Sequence, residues 1–234
     1  MNNCNAPENQ TTRRILPIAC ATALALAFTV CLPQPAHAHE ITPPRVPVDI
    51  EVPPGNEAFL EGHGVGTQNY ICLPCGAGTQ TPTCPLSSPG FAWTLFTPQA
   101  TLFSDRARQV TTHFFSPNPF ETDPMRPIRA TWQHSRDTST VWGKDAIAYS
   151  EPDFVAQGAI PWLRLTVDPK TGVQDGPTGG DTLTATTFIQ RLNTHQGSAP
   201  STGCAQLADV GKKQFVPYTA DYFFYTDHRD RDHR

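Results

Sequence analysis

Short runs in which apolar and polar residues alternate recur along the chain from about residue 58 onward. Residues 162–167 and 218–225 show the alternation most clearly, and the runs around Phe91 and Val110 share it. A period of two is typical of β-strands that bury one face. Turn-forming residues separate the runs, as in residues 168–172 (DPKTG). The pattern therefore predicts an all-β fold, an antiparallel β-sandwich or barrel-like single domain with at most one short helix.

The longest apolar stretch of this pattern, residues 182–192, has the length of a helix. It is rich in Thr and Ile, whose branched side chains are stiff in helices and common in sheets, so we predict a strand here. The short helix is predicted over residues 150–157, with Ser150 as its N-terminal cap and Gly158 at its end.

The two ends of the chain differ from this domain. Residues 1–38 have the pattern of a signal peptide, with two arginines, an apolar run and Ala36-His37-Ala38 before a predicted cut. A Pro-rich arm follows over residues 39–54, either packed on the domain or free. The β domain is predicted to span residues 55–225, and residues 226–234 a charged disordered tail.

The leader predicts a periplasmic or secreted protein, exported either unfolded or by the twin-arginine route. No second long apolar run follows, so no membrane span is expected after cleavage. The formal net charge is −4 and no basic face is evident, which excludes nucleic acid as an expected partner.

Four of the seven cysteines, Cys72, Cys75, Cys84 and Cys204, lie beyond the leader, and an even number in an oxidising compartment predicts disulfides. Cys75 and Cys84 flank a short loop of Gly, Thr and Pro that closes easily, which would leave Cys72 for Cys204. Two alternatives remain open for the Cys72-Leu73-Pro74-Cys75 motif, a thioredoxin-like redox pair and half of a zinc site.

Motifs spread over residues 53–225 resemble an uncharacterised secreted family of bacteria and fungi, domain of unknown function 3455. The motifs are Trp93 and residues 66–72 (GTQNYIC), 98–102 (PQATL), 113–114 (HF), 130–133 (ATWQ), 160–163 (IPWL), 188–194 (FIQRLNT), 199–200 (AP), 203–204 (GC) and 216–222 (VPYTADY). The family pattern has cysteines at Cys72 and Cys204, which implies that these two pair. An inserted loop at about residues 74–88 brings in Cys75 and Cys84. The resemblance implies no activity.

No sequence motif points to a reaction, and we interpret the protein as more binding module than enzyme. The Gly-x-Gly-x-Gly run of residues 62–66 precedes a strand-like segment, which excludes a nicotinamide site of the usual kind. No cofactor is therefore predicted. The alternative is a divalent metal, zinc or copper, because imidazoles at His63, His113, His134 and His195 lie beside or within predicted strands and would form a site if they converged.

A second candidate site is the stretch from Trp132 to Asp137. Trp132, His134, Arg136 and Asp137 combine an aromatic platform with an imidazole, a guanidinium and a carboxylate, side chains that bind sugars. The leading hypothesis is a non-enzymatic module that binds a small molecule, a glycan or an envelope component through loops. A metal-dependent secreted protein or enzyme and a structural or stress-protective surface protein are the alternatives.

Overall fold

A computed structural model describes residues 41–75, 90–121 and 127–228. The described chain is almost entirely β-structure. Its strands are β1 (Asn56–Pro74), β2 (Phe91–Phe103), β3 (Gln109–Pro117), β4 (Ile128–His134), β5 (Thr140–Tyr149), β6 (Trp162–Val167), β7 (Val173–Gln174), β8 (Thr186–Gln196) and β9 (Lys213–Asp227). The helical elements in these residues are single 3₁₀ turns at Val48–Ile50 and Leu207–Asp209.

Antiparallel pairing joins the strands in the order β4-β3-β2-β1-β9-β8-β6-β5-β7. A further ladder between β4 and β5 brings the two sides of the sheet together. The result is an eight-stranded closed barrel, to which the short strand β7 adds along β5. The predicted all-β antiparallel fold is confirmed, and of the two architectures left open, the barrel is the one observed.

The glycine run of β1 explains how the barrel packs so closely around this strand. Gly62, Gly64 and Gly66 pair with Tyr222, Ala220 and Tyr218 of β9. A Cβ atom at Gly64 would lie 2.8 Å from the Tyr222 ring, and one at Gly66 would lie 2.1 Å from the Gln99 carbonyl oxygen. The missing side chains leave room for Tyr222 of β9 at Gly64 and for residues of β2 at Gly62 and Gly66, as glycine does where another segment approaches closely.

A cluster of packed apolar side chains fills part of the barrel interior. Leu183, in the segment between β7 and β8, is fully buried and contributes to this core. The buried members of the cluster are Ala100, Leu102, Trp132, Val141, Ile160, Leu165, Val167, Leu183, Ile189, Tyr218, Ala220, Tyr222 and Phe224. The aromatic strand β9 thus lines the interior with alternate residues, as its pattern indicates.

The Pro-rich arm packs on the outside of the barrel. Ile50 is fully buried there, and its carbonyl accepts a 2.6 Å hydrogen bond from Gln190 Nε2. Arg164 donates to the carbonyl of Glu51. The arm completes a second apolar cluster, whose buried residues are Ile50, Ala58, Val155, Trp162, Leu192, Phe223 and Tyr225. Since Phe223 and Tyr225 belong to this outer cluster, both faces of β9 are buried in its second half.

The short helix predicted over residues 150–157 is wrong. The segment forms turns, in which the amides of Phe154 and Val155 both donate to the carbonyl of Glu151. Phe154 and Val155 pack into the outer cluster, and Ala159 then forms a β-bridge with Gly197. The segment packs against the barrel and then enters this β-bridge, so too few residues remain for a second helical turn.

Two predicted boundaries shift. The strand expected over residues 182–192 begins at Thr186, after a turn. β9 continues to Asp227, so Thr226, placed in the charged tail, belongs to the last strand. The rest of the tail from residue 229, the leader and Cys84 lie outside the described residues. In the part that is described, no helix has the length and apolar character needed to cross a membrane.

A disulfide joins Cys72 of β1 to Cys204, across 132 residues of sequence. This pairing confirms the one expected. By the chain-entropy estimate, a loop of this length corresponds to about 5 kcal/mol of stabilisation through the unfolded state. Cys75 is disulfide-bonded as well, whereas Cys84, the partner expected for it, is outside the described residues.

The packed arm leads to a stability prediction. Ile50→Ala removes buried methyl groups from the outer cluster and is expected to lower the free energy of unfolding by about 3 kcal/mol. Val48 lies in the same turn but is 77% exposed, so Val48→Ala is the matched control, with an expected change within about 0.5 kcal/mol. Urea unfolding of both variants measures the difference. Equal effects would mean that the arm does not pack on the barrel in solution.

Candidate functional site

Beside the packed core, and sharing Trp132, Leu165 and Tyr222 with it, the barrel contains a cavity of about 310 Å³. Each of the eight barrel strands contributes at least one residue to its wall. Among them are Gln68 of β1, Phe115 of β3, Ala130 of β4 and Leu163 of β6. The cavity is therefore a property of the closed barrel rather than of any one loop.

Stacked aromatic side chains form one wall of this cavity. The rings of His113 and Trp132 lie parallel, with centroids 4.2 Å apart. Tyr222 packs edge-on against Trp132 at 5.8 Å, and Phe224 supports Trp132 from the core side at 6.1 Å. Flat rings in this arrangement are suited to contact an apolar or aromatic molecule.

The wall also carries polar groups. Gln68 is 1% exposed, and its Nε2 makes no hydrogen bond in the structure. The indole Nε1 of Trp132, which is equally buried, makes none either. Arg191 of β8 lines the cavity and donates from Nε and Nη2 to the carbonyl of Pro161, at 3.3 and 2.9 Å. The cavity is thus mainly apolar with a few convergent donors, as ligand pockets commonly are.

Charged residues at the margin of the cavity are paired with one another. Arg129 contacts the carboxylate of Glu121 at 3.0 Å, and Lys144 contacts Asp168 at 3.2 Å. Asp145 follows Lys144 with a positive φ of 51°, at an irregularity in the β5–β6 pairing. This bulge interrupts the ladder between the two strands beside the cavity.

His113 is a neutral imidazole in this wall. Burial lowers its pKa to about 3, and the hydrogen bond between Nδ1 and the Thr131 carbonyl, 2.9 Å long, opposes that effect only in part. Because the carbonyl accepts, Nδ1 carries the proton, and Nε2 is left with a lone pair. His113 therefore adds no positive charge to the cavity at neutral pH.

The four histidines considered as metal ligands lie in different surroundings. His63 is on the outer face of β1, His113 is in the cavity wall, His134 is at the end of β4, and His195 is exposed on β8. Over residues 41–75, 90–121 and 127–228, no group of three or more His, Cys, Asp or Glu side chains could hold a metal ion. The metal site stays a prediction, and the geometry of these residues does not support it.

His63 instead bridges two carboxylates. Its Nδ1 lies 2.7 Å from Asp221 Oδ1, and its Nε2 lies 2.9 Å from Asp105 Oδ1. The hydrogen bonds to Asp221 and then to Asp105 raise the pKa of His63 above its ordinary value. Asn193 also donates to Asp221, at 2.8 Å. This arrangement ties β1, β9 and the loop after β2 together on the outside of the barrel.

The residues of the second predicted site, from Trp132 to Asp137, do not converge. Trp132 points into the barrel, whereas Arg136 is exposed in the turn that follows β4. Asp137 accepts hydrogen bonds from Ser139 and Thr182 and lies 2.9 Å from His134 Nδ1. Burial opposes ionisation of Asp137, but these donors outweigh it and hold the pKa well below its usual range. His134 and Asp137 thus stabilise the turn between β4 and β5. Of the four residues of the predicted site, only Trp132 lines the cavity.

Sequence reasoning missed Gln68, Arg191 and Tyr222 as cavity residues. Gln68 continues the alternate positions of the three inward glycines of β1, so it lies on the same face of the strand. Arg191 lies two residues after the buried Ile189 and so shares its inward face of β8. Both are polar residues at inward positions, which is the available signal. They also lie, with His113, Trp132 and Tyr222, in the motifs on which the family resemblance rests.

The comparison with known protein families gives a match that covers most of the barrel. The sequence model of a protein family described as a protein of unknown function (DUF3455) matches residues 53–226. The chain belongs to this family. No curated protein and no solved structure matches the chain. The DUF3455 match spans every strand of the barrel, from β1 to β9, so the cavity lies wholly within the family domain.

The burial of His113 predicts a loss of stability in acid. The unfolded chain takes up a proton near pH 6.5, but the folded protein does so only near pH 3, so stability falls as pH drops through this range. From pH 7 to 4.5 the contribution of His113 is a loss of about 2 kcal/mol. His113→Gln, which does not titrate, is expected to show a shallower decline in urea unfolding. An equal decline in both proteins would contradict a buried neutral imidazole.

His63 has the opposite effect on stability. Since its pKa is raised in the folded state, the stabilisation is complete below pH 6.5 and disappears as pH rises through the raised pKa. His63→Gln is therefore expected to lower the melting temperature more at pH 6 than at pH 9. Thermal unfolding of both proteins at the two pH values measures this. A deficit that is equal or larger at pH 9 would show that the charged pairing does not stabilise the fold.

Proposed function

We propose that the protein binds a small, largely apolar molecule inside the barrel. The observation that carries this proposal is the cavity of about 310 Å³ lined by residues of all eight strands, with a wall of stacked rings. Small eight-stranded barrels either fill their interior with side chains or hold one small ligand. Here a packed core and a cavity lie side by side.

The size and lining of the cavity support binding. A volume of about 310 Å³ is at the lower end of the range of pockets that enclose small organic ligands, roughly 300–1,000 Å³. Side chains that face a void lose dispersion contacts on that side, and a ligand that fills the space restores them. An apolar molecule with one to three rings fits this volume. Its flat rings could stack on those of His113 and Trp132.

The chemistry of the lining favours binding over catalysis. With a pKa of about 3, His113 is poorly matched to proton transfer at neutral pH. Among the described residues that line the cavity there is no serine or cysteine to act as a nucleophile. The binding element differs from the one expected, because the wall is built from strands rather than from loops at one end.

We also propose that the protein works outside the cytoplasm. The signal-peptide pattern of residues 1–38 supports this. The Cys72–Cys204 disulfide supports it as well, since such bonds persist in oxidising compartments.

Filling the cavity tests the proposed function. Ala130 lines the cavity, so Ala130→Phe places a phenyl group in the ligand space. The neutral dye N-phenyl-1-naphthylamine, which fluoresces in apolar surroundings, is expected to bind the wild-type protein and to bind Ala130→Phe at least tenfold more weakly. A fluorescence titration measures both affinities.

The matched control puts the same ring on the outer surface. Val65 of β1 is 56% exposed, and Val65→Phe is expected to bind the dye as the wild type does. Circular dichroism and urea midpoints check that all three proteins are folded. Absence of dye binding by the wild type, or equal binding by Ala130→Phe, would contradict a ligand site inside the barrel.

A further inference from the structure

Arg191 is a cation placed inside the barrel. Its neighbours along β8 define its direction, because Ile189 belongs to the inner core and Leu192 to the outer cluster. Arg191 shares the inward face of Ile189 and lines the cavity. Two of its hydrogen bonds go to the carbonyl of Pro161, and the guanidinium also donates to the Tyr222 hydroxyl. Both acceptors are neutral, so these bonds orient the guanidinium without balancing its charge.

Unlike the other cations at the cavity, Arg191 is not paired with a carboxylate. Arg129 and Lys144 each form an ion pair with Glu121 or Asp168. Within the described residues, Arg191 forms no ion pair with any carboxylate. Arg191 is partly buried. A cation that has lost part of its water without gaining a counter-charge is less favourable, and a bound anion would relieve that cost.

The positive charge of Arg191 acts on several groups around the cavity. Burial is the main cause of the raised pKa of the Tyr222 hydroxyl. The charge of Arg191 is the largest influence that lowers this pKa. The same charge opposes the rise in the pKa of Tyr70 and adds to the lowering of the pKa of His113. The charge of Arg191 therefore reaches the ionisable groups of the wall, among which His113 is neutral.

Two further donors in the wall are not fully satisfied. Gln68 Nε2 and Trp132 Nε1 belong to side chains that are 1% exposed, and neither atom makes a hydrogen bond of normal geometry. Gln68 interacts with the Tyr218 hydroxyl, but outside that geometry, whereas Trp132 Nε1 has no acceptor among the described residues. Unsatisfied buried donors of this kind are rare in native proteins and call for a physical explanation. A carboxylate accepts hydrogen bonds at two oxygens, so a single group of this type could serve more than one of the three donor side chains.

We propose that the ligand is a small aromatic or other apolar acid whose carboxylate binds Arg191, with its apolar part against the rings of His113 and Trp132. This inference rests on the proposed function and adds the charge of the ligand to it. The strongest support is the combination in one cavity of an inward guanidinium without a carboxylate and two donors without hydrogen bonds of normal geometry.

A matched pair of ligands tests the charge directly. 2-Naphthoate and 2-naphthalenemethanol share the same ring system, but only the first is anionic at pH 7.5. Each competes with N-phenyl-1-naphthylamine for the wild-type protein. Naphthoate is expected to displace the dye at a concentration at least tenfold lower than the alcohol requires.

Variants of Arg191 assign this preference to one side chain. Arg191→Gln removes the charge and is expected to abolish the difference between acid and alcohol while the dye still binds. Arg191→Lys keeps the charge and is expected to keep part of the preference. Arg136→Gln is the control, because it removes an exposed cation that does not line the cavity, and it is expected to keep the preference of the wild type.

The outcomes separate this inference from the proposed function. Equal displacement by acid and alcohol in the wild type, or a preference that survives in Arg191→Gln, would overturn the anionic ligand while leaving a neutral ligand site. Failure of the dye to bind, or its indifference to Ala130→Phe, would count against the ligand site itself. In that case calorimetric titration with naphthoate and with the alcohol still tests the inference. If naphthoate gives no heat of binding, the inference is overturned.

Discussion

The ladder between β4 and β5 is the interaction on which the rest of this structure depends. It pairs Ala130 with Gly143 and Trp132 with Val141, and so joins the two sides of a sheet that would otherwise have open edges. The turn that connects these strands is held by Asp137, which links His134, Ser139 and Thr182 through hydrogen bonds. Without this closure β4 and β5 would not face the other strands across an interior, and the cavity would not exist.

Closure alone does not produce a cavity, because a barrel of this size can be filled by its own side chains. The residues at inward positions decide which part of the interior is filled. Leu102, Val141 and Ile189 meet Leu183, which is supplied from outside the sheet. The inward residues that line the cavity include Ala130, whose side chain is too short to fill the space beside it. The position of the neighbouring Gly143 is covered by Leu165, since a Cβ atom there would lie 2.8 Å from the Leu165 side chain. The unfilled space therefore results in part from small residue size at a strand position such as Ala130.

Two nitrogen-containing side chains of the interior, His113 and Arg191, differ in charge. His113 loses its charge because burial penalises the imidazolium, and its ring becomes part of an aromatic wall. Arg191 cannot lose its charge in this way, since a guanidinium stays protonated in proteins. The cavity thus has an apolar surface and one cation that is not paired with a carboxylate. These two features match the proposed ligand, an apolar body with an anionic group.

The sequence by itself determined the all-β class, the strands of the alternating segments and the Cys72–Cys204 pairing, the last with the help of the family resemblance. Alternation does this because it states which residues share a face of a strand. It does not state which strands are neighbours or which face is the interior, so closure of the barrel, the packing of Ile50 and the meeting of Gln68, Trp132 and Arg191 were decided by the tertiary structure. For the same reason the histidines, which look alike in sequence, separate in space: His63 pairs with Asp105 and Asp221 outside, and His113 stacks on Trp132 inside. Sequence spacing does not encode the distance across a barrel, and that distance determines which side chains form a site.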